Sequence, residues 1–151
     1  MFIGSWGAEF YALDRFTGKL AWKYAPGKNR YASPGACWPV AHDGKVFVHS
    51  ADMFLYCFDA LTGEILWASK DAGGRESIGL SRDGKTLYVK SVKDNVVAID
   101  AESAGYRTVW TTDCGFGGEY GPTRVTSTDR CVFAATATGK VYCLDKESGK
   151  G

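Results

Sequence analysis

The sequence predicts an all-β chain built from four-stranded antiparallel blades, about four of them, forming an incomplete ring. Three observations predict it. The segment Ala12-Leu13-Asp14 through Thr17-Gly18 to Trp22 returns as Cys57-Phe58-Asp59 through Thr62-Gly63 to Trp67. It returns again as Ala98-Ile99-Asp100 through Gly105 to Trp110, and in part as Cys143-Leu144-Asp145 through Ser148-Gly149. The four aspartates therefore lie 45, 41 and 45 residues apart. Self-similarity at that period marks a propeller or a solenoid. Short β-branched and aromatic stretches between Gly-containing turns exclude a solenoid of helix pairs.

Each element follows from the alignment on Asp. Val46-Phe47-Val48, Leu87-Tyr88-Val89 and Val132-Phe133-Ala134 read as second strands, with Phe2-Ile3-Gly4 as their counterpart in the first copy. Each of the three follows a turn, at Asp43-Gly44, Asp83-Gly84 and Asp129-Arg130. Before those turns lie the inner strands, Trp38 to Ala41, Ser77 to Leu80 and Thr123 to Thr126. The repeat Asp closes the third strand, a Thr-Gly turn follows, and an outer strand ends in Trp. Glycine is suited to such turns because it takes positive φ without strain. The blades are expected at about 1–24, 31–69, 75–112 and 121–151.

A residue that recurs in every blade argues for mechanics rather than for a ligand. Asp14, Asp59, Asp100 and Asp145 are expected to accept turn N–H groups. Gly18, Gly63 and Gly149 let the turn close. Trp22, Trp67 and Trp110 are expected to pack between blades, each indole N–H finding a carbonyl.

Composition excludes several functions. With 18 basic and 17 acidic residues, the chain has no electrostatic case for nucleic acid. No apolar run reaches the roughly 18 residues of a membrane helix. Five cysteines include no CxxC pair, and two histidines, His42 and His49, have no ligand spacing, so no zinc site is expected. Cys57 and Cys143 occupy the slot of Ala12 and Ala98, which reads as small and buried. Gly115 to Gly118 is Gly-rich but matches no phosphate loop, and no Ser or Cys stands in a nucleophile elbow.

Candidate binding residues come from the long connections between blades, where rigid scaffolds carry function. These are Arg30, Tyr31, Trp38, Arg75, Glu76, Glu119, Tyr120 and Arg124, with Trp6 and His49 beside turns on the same side. Together they are expected to line a central funnel. His49 alone reads more readily as a hydrogen-bonded structural residue than as an acid or base. The first copy lacks an inner strand and the last lacks its outer one. A half ring exposes strand edges and an apolar flank, so self-association or the remainder of a longer propeller is expected.

The spacing Ala-x-Asp-x-x-Thr-Gly-x-x-x-Trp resembles the tryptophan-docking repeat of the pyrroloquinoline-quinone-like (PQQ-like) propellers. The first copy fits each motif position, the second has Cys57 for Ala, and the third carries an insertion around Ala104-Gly105-Tyr106. The resemblance implies a bacterial protein of the periplasm or cell surface. It allows three functions: a non-catalytic scaffold that binds a protein, peptide or glycan; a fragment of a quinoprotein dehydrogenase; or an accessory propeller joined to a catalytic module such as a metallophosphoesterase. The dehydrogenases of the family carry a vicinal disulfide and a calcium site with Glu and Asn ligands. This sequence has no Cys-Cys, and its two asparagines, Asn29 and Asn95, stand in no such motif. The scaffold is therefore the leading expectation, with no cofactor or catalytic residue assigned, and PQQ with calcium only under the dehydrogenase alternative.

Overall fold

The computed structural model describes residues 1–26, 37–74, 78–116, 124–136 and 138–151. Four antiparallel sheets follow one another along the chain, each a simple meander, and no helix occurs among the described residues. Blade 1 comprises β1 (Phe2–Gly4), β2 (Phe10–Leu13) and β3 (Leu20–Tyr24). Blade 2 comprises β4 (Val40–His42), β5 (Lys45–His49), β6 (Leu55–Asp59) and β7 (Ile65–Ser69). Blade 3 comprises β8 (Ile78–Leu80), β9 (Thr86–Lys90), β10 (Asn95–Asp100) and β11 (Thr108–Asp113). Blade 4 comprises β12 (Thr126–Ser127), β13 (Cys131–Ala135) and β14 (Val141–Asp145). The sheets form a propeller arc whose ring is not closed.

The repeat turn is built the same way in three blades. In blade 1 the Asp14 carboxylate accepts the Phe16 and Thr17 N–H groups at 3.0 and 2.7 Å and the Thr17 hydroxyl at 2.9 Å. Asp59 does the same for Leu61 and Thr62, and Asp145 takes the N–H and hydroxyl of Ser148. These donors favour the ionised form, so all three carboxyls titrate below the ordinary Asp range. Gly18, Gly63 and Gly149 then turn the chain at φ of 69°, 76° and 70°. A register shift just before Asp, at Ala12/Leu13, Cys57/Phe58 and Ala98/Ile99, repeats in blades 1 to 3.

Pleat alternation gives every blade two apolar faces. Phe47 and Cys57 face forward to the next blade while Val46, Val48 and Phe58 face back. One buried cluster unites blades 1, 2 and 3 through Phe10, Phe58, Trp67, Leu87 and Ile99. A second unites blades 3 and 4 through Tyr88, Trp110, Val132 and Leu144. At the first seam the Phe10 and Trp22 rings lie 6.0 and 5.6 Å from Phe58. Burying a ring such as Phe58 contributes on the order of 2–3 kcal/mol, so the seams carry most of the core.

Tryptophan does more at the seam than fill space. The Trp22 indole N–H donates to the Ala60 carbonyl at 3.1 Å, and Trp110 donates to Lys146 at 2.8 Å. Each ring lies on the repeat glycine of the following blade. A Cβ on Gly63 would stand 2.6 Å from Trp22 Cδ2, and one on Gly149 would stand 2.6 Å from Trp110 Cε3.

The seam between blades 2 and 3 departs from this plan. The blade 3 turn has the insertion, and its Asp100 is tied to Arg107 instead of to a Thr. Tyr106 meets the Trp67 ring edge-on at 5.5 Å, in place of a glycine platform. The Lys45 ammonium reaches across and donates to the carbonyls of Ala101, Glu102 and Ser103 at 3.0, 2.9 and 3.0 Å. Ala101 follows Asp100 as Ala60 follows Asp59, so lysine occupies the acceptor an indole uses elsewhere. The Trp67 N–H is buried without a partner.

The slot shared by Ala12, Cys57, Ala98 and Cys143 is buried in blades 1 to 3 but exposed in blade 4. The expectation of a buried Cys143 is therefore corrected: among the described residues no strand packs over that side chain. Val141 shows the same contrast, 69% exposed where Leu55 and Val96 are fully buried.

The glycine platform is open to a direct comparison. Gly63→Ala adds both positive-φ strain and a clash with Trp22, and is expected to destabilise by about 3 kcal/mol. Gly18→Ala meets no atom within 4 Å and carries the strain alone, about 1 kcal/mol. Urea denaturation of the two variants measures the difference.

Candidate functional site

The inner strands β4, β8 and β12 run side by side at the centre of the arc, with β8 packed against both others. Close approach requires Gly79, since a Cβ there would stand 2.4 Å from the Val125 carbonyl oxygen. Trp38, Val40, Leu80, Arg124 and Thr126 border a groove of about 360 Å3 along these strands. The strands are short, and among the described residues each forms the inner edge of its sheet.

Trp38 and Arg124 both line the groove. The Arg124 guanidinium carbon lies 3.9 Å from the Trp38 ring centroid. Trp38 remains 64% exposed and Arg124 is exposed. A cation over an indole face at a wet surface is worth about 0.5–1 kcal/mol. Among the described residues no carboxylate pairs with Arg124. A guanidinium held by its face keeps its N–H edge available for a carboxylate or a carbonyl. The arrangement suits recognition of a polar or acidic segment beside an aromatic contact, and it assembles no nucleophile and base.

The other candidate residues fall in different places. Arg30, Tyr31, Arg75, Glu76, Glu119 and Tyr120 lie outside the described residues. Trp6 is 79% exposed in the turn between β1 and β2 and does not border the groove. His49, which the repeat alignment puts in the funnel, is enclosed instead. Its Nε2 donates to the Ala72 carbonyl at 3.2 Å, its backbone N–H points to Cys37 Sγ at 3.3 Å, and Nδ1 has no partner. The Ala72 to Gly74 connection closes over the ring, and a Cβ on Gly74 would stand 2.8 Å from His49 Cε1. Burial penalises the charged imidazole and lowers its pKa to about 4, with the Ala72 bond opposing.

One residue near this side was not anticipated. Lys90 ends β9 as His49 ends β5, and it is buried. Its ammonium donates to the Ala135 carbonyl of blade 4 at 2.9 Å and lies 5.5 Å from the Phe116 centroid. Alignment with His49 is the sequence signal that could have found it. A second cleft of about 270 Å3 is bordered by Asp71, Lys93 and Tyr106. The Asp71–Lys93 pair there, at 2.6 Å, is well exposed and therefore weak.

Cofactor fit was tested on the donors present. Among the described residues no group of three or more His, Cys, Asp or Glu side chains could hold a metal ion. Cys37, Cys57 and Cys114 are buried, Cys131 is half-buried, and no disulfide joins the five cysteines. The described residues thus do not supply the calcium and vicinal-disulfide set that a quinone site of this kind needs. No helix among them is long and apolar enough to cross a membrane, which does not bear on a β-barrel.

Comparison with known proteins adds three findings. The family profile described as outer membrane protein assembly factor BamB matches residues 1–103. The lanthanide-dependent methanol dehydrogenase of Methylorubrum extorquens is 34% identical over 94 residues, which cover 58% of this chain and 15% of that protein. The chain thus spans a small part of that relative. Among solved structures, BamB from Moraxella catarrhalis superposes with a TM-score of 0.72 at 19% identity, covering 95% of this chain and 45% of that one. Sqt1 of Saccharomyces cerevisiae superposes at 0.74 and 18% identity, covering 97% and 41%. At those identities the likeness shows the fold alone.

The buried imidazole has a pH signature. The unfolded ring protonates near its ordinary 6.5 and the folded ring only near 4. The unfolded chain therefore binds the extra proton between these values. Stability from neutral His49 is complete above about pH 6.5 and falls as pH drops toward 4, by about 3 kcal/mol in all. The turn aspartates titrate below their ordinary 3.8, outside this window. Urea denaturation at pH 7, 5.5 and 4.5 should show the loss in the wild type and a flatter profile in His49→Gln.

Proposed function

The chain belongs to the family described as outer membrane protein assembly factor BamB, and from that premise we propose that it is a non-catalytic binding and scaffold module that engages a protein partner. The observation that carries this reading is the Trp38–Arg124 pair over the inner-strand groove. An exposed aromatic beside an arginine is the composition of energetic anchors at protein interfaces. The inner edges of β4, β8 and β12 offer main-chain hydrogen bonds to an extended peptide. A family description that refers to protein assembly supports a protein partner over a glycan. A periplasmic location fits the family description, which refers to the outer membrane.

A second reading is favoured by one observation, the 34% identity to a methanol dehydrogenase. On it, the chain is a part of a quinoprotein whose catalytic residues lie outside residues 1–151. An accessory propeller beside a catalytic module, such as a metallophosphoesterase, is a third arrangement that the same scaffold permits.

Affinity capture from a bacterial envelope extract, quantified by mass spectrometry, tests the first reading. A specific partner is expected to fall at least tenfold with Trp38→Ala and with Arg124→Ala, both at exposed side chains that leave the fold intact. Calorimetry with the quinone and calcium tests the second. Stoichiometric binding to this chain would defeat the scaffold reading.

A further inference from the structure

The seam between blades 2 and 3 has a cleft where its neighbours carry rings. The strand position just before the Ala or Cys slot is Tyr11, Tyr56 and Tyr142 in blades 1, 2 and 4, and Val97 in blade 3. Phe54 stands two residues before Tyr56, and Asn95 stands two before Val97. On the facing outer strand, Tyr24 pairs with Phe10, and its counterpart Ser69 pairs with Leu55. At the first seam the Tyr24 and Phe54 rings lie 5.1 and 6.0 Å from Tyr56. At the third, Phe116 meets Tyr142 edge-on at 5.3 Å. At the second, Ser69, Asn95 and Val97 replace all three rings of the first seam, and a cleft of about 270 Å3 stands there. Large-to-small replacement leaves such space when the surroundings relax only in part.

The lining has a definite chemistry. Buried Val97 and half-buried Tyr106 give the cleft two apolar surfaces. The rest is polar: the Asn95 amide, the Thr108 and Thr111 hydroxyls, and the Asp71–Lys93 pair. Thr111 stands opposite Val97 in the β10–β11 ladder, and the Thr108 hydroxyl donates to Tyr106 Oη at 3.0 Å. Hydroxyls and an amide can each donate and accept. Asp71 and Lys93 are joined at 2.6 Å, so the cleft offers an acceptor and a donor without net charge.

We propose that this cleft binds one neutral pyranose ring, its C–H face against Val97 and Tyr106 and its hydroxyls toward Asn95, Thr111 and the Asp71–Lys93 pair. The volume suits a single sugar ring, since pockets for larger ligands run to roughly 300–1,000 Å3. The lining selects a sugar over an aromatic side chain returning to the vacated place. A phenol needs an apolar slot and one polar anchor, and it would cover the Asn95 and Thr111 groups without bonding them, which costs free energy. A pyranose carries hydroxyls around its edge and can satisfy both. Neither Trp38 nor Arg124 borders the cleft, so the proposal does not rest on the protein-partner reading.

The test follows amide shifts of the isotopically labelled chain by NMR during titration with glucose, galactose, mannose and N-acetylglucosamine, each as free sugar and as methyl glycoside, to tens of millimolar. Saturable shifts at Asn95, Val97, Tyr106 and Thr111 are expected with at least one of them. Either form binding supports the site, and the tighter form tells a free sugar from the end of a glycan. Val97→Tyr restores the recurrent ring and should abolish binding, with a melting temperature at or above that of the wild type. Asn95→Ala leaves Val97 and Tyr106 in place and should weaken binding about tenfold, the loss of one well-placed hydrogen bond. No saturable shift at the cleft with any of these sugars would overturn the proposal. So would binding that survives Val97→Tyr or is indifferent to Asn95→Ala. Tighter binding of N-acetyltyrosinamide than of every sugar would also overturn it, since the cleft would then be a seat for an aromatic side chain.

Discussion

An indole lying flat on the glycine turn of the next blade is the interaction on which the rest of this structure depends. A blade is a small sheet with two apolar faces, and it cannot bury either alone. Trp22 and Trp110 join neighbours by three means at once: ring burial, a hydrogen bond across the seam, and steric fit to Gly63 and Gly149. The repeat Asp and Thr serve that contact indirectly. They set the turn so that its glycine presents a flat surface and its following carbonyl points at the indole. Turn chemistry and interblade packing are therefore one device.

The seam between blades 2 and 3 shows what happens when one part of the device changes. The inserted turn has no glycine platform, so Tyr106 fills the space against Trp67. Lys45 satisfies three carbonyls there and takes the acceptor that an indole would use. The Trp67 N–H is left unpaired in a buried place, a cost of about 1–3 kcal/mol. The charged hydrogen bonds from Lys45 offset that loss, each worth about 1.5–3 kcal/mol. One seam thus exchanges an indole bond for a lysine bond while keeping the Trp67 ring buried.

The blade plan was legible in the sequence because its determinants are local. Asp14, Thr17 and Gly18 act on one another across a few residues, and the same spacing at Asp59 names the same turn. The unpaired Trp67 was not legible, since it depends on a lysine at position 45 reaching a turn 56 residues later. His49 was read correctly as hydrogen-bonded, but not as enclosed, because the covering Ala72 to Gly74 connection has no pattern that specifies its path. The exposed Cys143 shows the reverse limit: its slot is apolar in every blade, and only the neighbour decides whether it is buried. Trp38 and Arg124 were both legible as loop candidates. Their stacking was not, since 86 positions separate them and the inner strands alone bring them together.

The recurrent residues are committed to seams, and the proposed binding pair, Trp38 with Arg124, is not among them. The central claim, that the seam between blades 1 and 2 is held by the Trp22 indole, is tested most directly by native-state hydrogen exchange on Trp22→Ala. Exchange reports opening free energy segment by segment. Seam-by-seam stabilisation predicts that amides of β2 and β3 lose protection strongly while those of β9, β10 and β13 keep theirs. Uniform loss across all four blades, or no loss in blade 1, would contradict it.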